Sequence, residues 1–174
     1  MAGSLIKINE AIVTSATPSV TLTGIDSTYD VYMVRYNNVR PTTDDKDLFC
    51  RVTVGGTADS SAEYDYAYKQ LRADTTFQNT SYTNQTSWRL EFAIGNIAGQ
   101  EMANAVMYLF NFNNASEYSF MTLEGSNRLQ GQNLLAETGG GVQTESQACD
   151  GLEFFWEASS TFAEGQFVLY GLKK

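Results

Sequence analysis

The side chains that could carry chemistry are few, and the first limit is that the chain has no histidine. That removes a Ser-His-Asp triad, a Cys-His pair and any imidazole ligand for a metal. No Gly-x-Ser-x-Gly elbow, phosphate-binding loop or dinucleotide fingerprint is present. Gly139-Gly140-Gly141 has neither the spacing nor the lysine that phosphate binding needs, and reads as a flexible turn ahead of a strand. Carboxylates remain. Glycoside hydrolysis takes two of them roughly 5 to 9 Å apart, and Glu91, Glu124 and Glu153 lie in or beside expected strands. Nothing in their spacing selects a pair, and a carboxylate on a strand ordinarily faces water. Asp44-Asp45-Lys46-Asp47 offers the oxygen ligands calcium takes, but it lacks the glycine and closing glutamate of an EF-hand. A solvated hairpin loop is the simpler reading. The sequence thus points to no catalytic residue, no metal site and no cofactor.

Binding residues are easier to nominate. Tyr64, Tyr66 and Tyr68 fall on one face of a strand, and a tyrosine joins a large apolar ring to a polar tip. They could cover the core or its rim, form a subunit contact, or make a platform for sugar. Tyr82 lies in the polar stretch 74–86, which reads as a long surface loop, the kind of segment that often carries function. Near the N-terminus, Leu5, Ile6 and Ile8 put apolar side chains on both faces of a short strand ahead of Pro18, more than a free edge should show to water. Residues 1–17 are therefore either an ordinary edge strand or an arm that docks on a neighbour. The interface candidates are Leu5, Ile6, Ile8, Tyr64, Tyr66, Tyr68 and Tyr82.

The elements that must position these residues are strands. Period-two alternation appears at 5–13, 19–23, 30–39, 49–54, 63–71 and 87–94, with Trp88, Leu90, Phe92 and Ile94 on one face of the last. In 105–112 both faces are apolar, which predicts a strand buried on both sides; 118–123, 141–146, 152–158 and 166–172 complete the set. Helical periodicity is nowhere sustained. Ten Tyr, ten Phe and fourteen Gly with only two Pro suit strands joined by tight turns. The expected fold is all-β: a single domain over residues 1–174, an antiparallel β-sandwich of eight to ten strands, jelly-roll-like. A chain of 174 residues buries enough surface to fold without staples. Cys50 and Cys149, in apolar surroundings, read as two free thiols.

Charge narrows the partners. Eleven Lys and Arg against twenty Asp and Glu give a net charge of −9, with no basic run, so nucleic acid and anionic lipid are disfavoured. The N-terminal residues lack the charged and apolar regions of a signal peptide, and no apolar stretch approaches the roughly 20 residues of a membrane span. A soluble protein made in the cytoplasm is the expectation.

Thr21-Leu22-Thr23-Gly24-Ile25-Asp26, Tyr29-Asp30-Val31-Tyr32, Tyr64-Asp65-Tyr66-Ala67, Tyr108-Leu109-Phe110-Asn111, Tyr118-Ser119-Phe120, Gly139-Gly140-Gly141 and the closing Gly165-Gln166-Phe167-Val168-Leu169-Tyr170-Gly171-Leu172 occur in that order over nearly the whole chain. In this the chain resembles a group of small β-sandwich virion proteins of tailed phages, common in marine and cyanobacterial viruses. The resemblance implies a non-enzymatic particle component, a head decoration (cement) protein or a tail-associated one. Its partner would be the major capsid protein or another virion protein, and its assembly a homotrimer. A lectin-like fibre module that binds host surface glycans is the alternative.

Overall fold

Side-chain alternation along extended segments dictates this structure. The computed structural model describes residues 4–74, 77–131 and 133–173, and these form thirteen strands and no helix. Eight make one antiparallel sheet, in the order β1 (Ser4–Val13), β13 (Phe162–Lys173), β3 (Val31–Pro41), β9 (Ala103–Phe110), β10 (Ser119–Arg128), β11 (Leu134–Gln143), β6 (Tyr64–Arg72) and β7 (Gln78–Gln85). The second sheet holds β2 (Ser19–Thr23), β12 (Gly151–Trp156) and β4 (Lys46–Val54), with β5 (Thr57–Ala58) and β8 (Trp88–Ile94) both paired to β4. The two sheets face each other as an antiparallel β-sandwich. The strands number thirteen rather than eight to ten, partly because the polar stretch taken for a loop contains β7, an edge strand with no face buried enough to demand apolar residues.

The core lies between the sheets. From the larger come Val34, Tyr36, Met107, Leu109, Met121, Leu123, Phe167 and Leu169; from the smaller, Leu48, Cys50, Val52, Leu152 and Phe154. Phe154 meets Phe167 with ring centroids 4.9 Å apart, and Trp88 stands edge-on to Tyr64 at 5.1 Å. Buried tyrosines must place their hydroxyls. Tyr32 donates to the Asp26 carbonyl at 2.6 Å, Tyr64 to the Asp59 carbonyl at 2.7 Å, and Tyr36 to the Glu91 carboxylate at 2.8 Å.

Gly139-Gly140-Gly141 is not a turn. It lies inside β11 between β10 and β6, with Gly140 opposite Thr122 on one side and Ala67 on the other. The reason is space: a β-carbon on Gly139 would strike the Ala67 carbonyl and Tyr68, one on Gly140 would come 2.7 Å from the Met121 carbonyl, and one on Gly141 would come 2.6 Å from the Trp88 indole nitrogen. The N-terminal residues also resolve. Ser4–Val13 pairs with β13 as an edge strand of its own sheet, with Ile8 packed against the core, rather than forming a detached arm.

Cys50 and Cys149 are free thiols, both fully buried, and burial raises both above their ordinary pKa. Native protein should therefore resist a thiol reagent such as DTNB, with two thiols per chain reacting on addition of guanidinium. Rapid modification of the folded protein would contradict this burial.

Candidate functional site

Two features stand out: a buried carboxylate pair inside the sandwich and an uncovered apolar face outside it. Of the sequence-nominated carboxylates, Glu91 is in the core, Glu124 is on the outer face of the larger sheet, and Glu153 is on the outer face of the smaller, where it stands 4.0 Å from Arg51. The fold brings no two of them together. Glu91 instead meets Glu137, which lay in no expected strand and was missed. Glu91 accepts from the Tyr36 hydroxyl at 2.8 Å and from Asn127 Nδ2 at 2.7 Å. Glu137 accepts from Gln70 Nε2 at 2.8 Å and from the Phe92 amide at 3.1 Å. The β-carbon absent from Gly125 would have stood 2.5 Å from Glu91 Oε1, so that glycine makes room for the carboxylate.

The backbone assists. Ala93 takes a left-handed conformation (φ 50°), and β8 there slips out of register with β4. The Phe92 and Ala93 amides turn to carboxylates instead, Glu137 and Asp47 respectively. Arg89 lies 3.5 Å from Asp47 with its guanidinium over the Phe92 ring. Burial, and then the neighbouring Glu137 charge, push Glu91 up to about 8; burial likewise pushes Glu137 up to about 7. Both carboxylates are buried, at 0 % and 2 % exposure, so the pair is placed to hold a proton inside the sandwich. Asp44 and Asp47, read as part of a solvated loop, are also engaged: Asp44 accepts from the Asn96 amide and Gln130.

The tyrosine ladder points inward. Tyr64, Tyr66 and Tyr68 are buried, with Tyr66 alone of the three bordering surface hollows. Tyr82 remains exposed on β7, its ring 5.3 Å from Tyr66. Leu5 and Ile6 are exposed on β1, and Ile8 is half-buried.

The outer face of the eight-stranded sheet was not foreseen. The strand at 105–112 was expected to be covered on both sides, yet β9 buries Met107 and Leu109 and leaves Tyr108 and Phe110 exposed. Phe110 is opposite Phe120 on β10, itself 45 % exposed. The smaller sheet handles its outer aromatics differently: Phe49 stacks on Phe155 at 5.8 Å, and the Arg51 guanidinium sits 4.1 Å above Phe155. Among the described residues, no ring stacks on Tyr108, Phe110 or Phe120, and no cation lies over them. Beside them three hollows, of about 650, 330 and 500 Å³, cross the sheet from Arg35 to Tyr82. The signal was in the sequence: an alternating strand apolar on both faces, beside strands that supply nothing to cover the second.

Comparison of the chain with models of protein families, with curated proteins and with solved structures finds no match.

Proposed function

We propose that this chain is a structural component of a tailed-phage virion, a decoration protein that seats on the head surface as an oligomer. The order of segments shared with such proteins suggests it, and the two edges of the larger sheet support it. At one edge, β7 is polar and exposed along nearly its whole length, as an edge facing water should be. At the other, β1 shows Leu5 and Ile12 at 51 % and 65 % exposure, beside a row of main-chain groups with no partner strand among the described residues. An apolar open edge suits strand addition by another chain, with main-chain hydrogen bonds for affinity and side chains for fit. Many weak contacts of this kind, repeated over a lattice, bind through avidity.

The test is reconstitution. Purified protein added to particles that lack it should bind in a copy number divisible by three, with light scattering giving a trimer or a monomer in free solution. Leu5→Lys/Ile12→Lys should keep its β-sheet circular dichroism and lose at least tenfold in particle binding. A wild-type chain that ignores the particles, a double variant that binds unchanged, or a dimer in both settings would overturn the reading.

A further inference from the structure

We propose that the trough across the outer face of the eight-stranded sheet is a binding site for a neutral oligosaccharide. The site is separate from the β1 edge and does not rest on the decoration reading. The three hollows form one trough because they share residues: Val106, Glu124 and Thr138 line the first two, and Thr122 the second and third. From β3 to β7 it crosses six strands, roughly 24 Å at the ordinary strand spacing, long enough for several sugar rings.

Its cross-section follows from register. Thr122, Gly140, Ala67 and Ser81 lie opposite one another on β10, β11, β6 and β7, so the middle of the trough has a floor of short side chains. Tyr108, 40 % exposed and opposite Thr122, forms a wall with Phe120, and Ser81 lies at the far end, while the Tyr82 ring turns to the other face beside Tyr66. A sugar ring offers apolar C–H faces and hydroxyl edges that both donate and accept. The trough matches these with exposed aromatic rings, with the hydroxyls of Thr122, Thr138 and Ser81, with the Glu124 carboxylate and with the Arg35 guanidinium.

Other occupants fit less well. A polyanion would meet Glu124 and Asp65 in the trough and a chain of net charge −9. An added peptide strand finds no main-chain partners, because strands β9, β10, β11 and β6 each have a neighbour on both sides and spend their backbone groups laterally. A compact apolar ligand would stay half wet, since the hollows open along their length.

Affinity electrophoresis tests the site, with native gels cast with glucan, galactan or mannan, and with alginate as the charged control. At least one neutral polysaccharide should retard the wild-type chain and alginate should not. Tyr108→Ala and Ala67→Arg, at exposed positions, should raise the dissociation constant at least tenfold without changing the melting temperature. Phe155→Ala, on the opposite sheet, should bind as wild type. Absence of retardation by every neutral polysaccharide, retardation by alginate alone, or binding indifferent to Tyr108→Ala and Ala67→Arg would overturn the proposal. So would self-association in light scattering that Tyr108→Ala abolishes, because a second copy would then fill the trough. Particle binding is measured separately, so either proposal can fail while the other stands.

Discussion

Raising the pH from 5 to 9 should lower the melting temperature of this protein, and Glu91→Gln should remove most of that dependence. In the unfolded chain Glu91 and Glu137 titrate near 4.5, whereas in the folded protein both are held well above it, chiefly by burial. Between those values the native state binds more protons than the unfolded state, so stability falls as pH rises. The contribution is complete below pH 4.5 and is lost as pH climbs through about 7 to 8. At 1.36 kcal/mol per pH unit, the loss over both carboxylates between pH 5 and 9 is on the order of 6 kcal/mol, roughly 15 °C for a chain of this size.

Other groups do not reverse the sign in this window. Asp26, Asp59 and Asp74 are held low and lose their contributions only in more acid solution. Around the pair, Tyr36 and Tyr68 are raised still further and stay neutral, and Asp47, itself raised by burial, faces Arg89. Glu91→Gln keeps the shape and removes the charge. Asn127 Oδ1, buried without a partner, can accept from the new amide if the Asn127 side chain turns over. The variant should match wild type at pH 5 and melt higher than wild type at pH 9, as calorimetry across the range would record. A wild-type melting temperature that is flat, or that rises with pH, would falsify the assignment.

Gly139→Ala is expected to abolish folding or to cost more than about 4 kcal/mol. The obstruction is backbone and ring, the Ala67 carbonyl and Tyr68, so no small side-chain adjustment relieves it. Gly55→Ala is the control: φ is 58° there and nothing lies within 4 Å, so its cost is only the left-handed strain, about 1 kcal/mol. Denaturant melts of the two variants give the comparison. A Gly139→Ala protein that melts within about 2 °C of wild type would mean that β11 does not run between β10 and β6 in this register.

Much of the sandwich was legible because burial on one face writes alternation into a strand. Tyr64–Leu71 shows it plainly, whereas in Trp88–Ile94 the expected alternation breaks, with Glu91 buried and Phe92 only half-buried where the strand slips register. The Cys50 and Cys149 thiols were readable for the same reason, from apolar neighbours. Where a strand has no buried face, as in Gln78–Gln85, the chain has no pattern to display and reads as loop. Where a strand must pass close beneath its neighbours, as at Gly139-Gly140-Gly141, the residues that permit it are those that elsewhere make turns. Glu91 showed in sequence only as one strand carboxylate among several; its partner is 46 residues away in the chain, as the numbers of Glu91 and Glu137 give, and no local spacing announces the meeting. The tyrosine ladder had its alternation but no sign of which side was inside.

The place of β13 in the sheet, between β1 and β3, sets when this protein can fold. Ser4 lies opposite Lys173, and Tyr36 opposite Phe167. The sheet therefore cannot close until β13 has left the ribosome. Until then Val34, Tyr36 and the inner face of β1 lack the neighbour that covers them, and the growing chain has to be kept from associating through those strands. With its pairings made so far apart along the chain, refolding belongs to the slow milliseconds-to-seconds class of β-sandwiches.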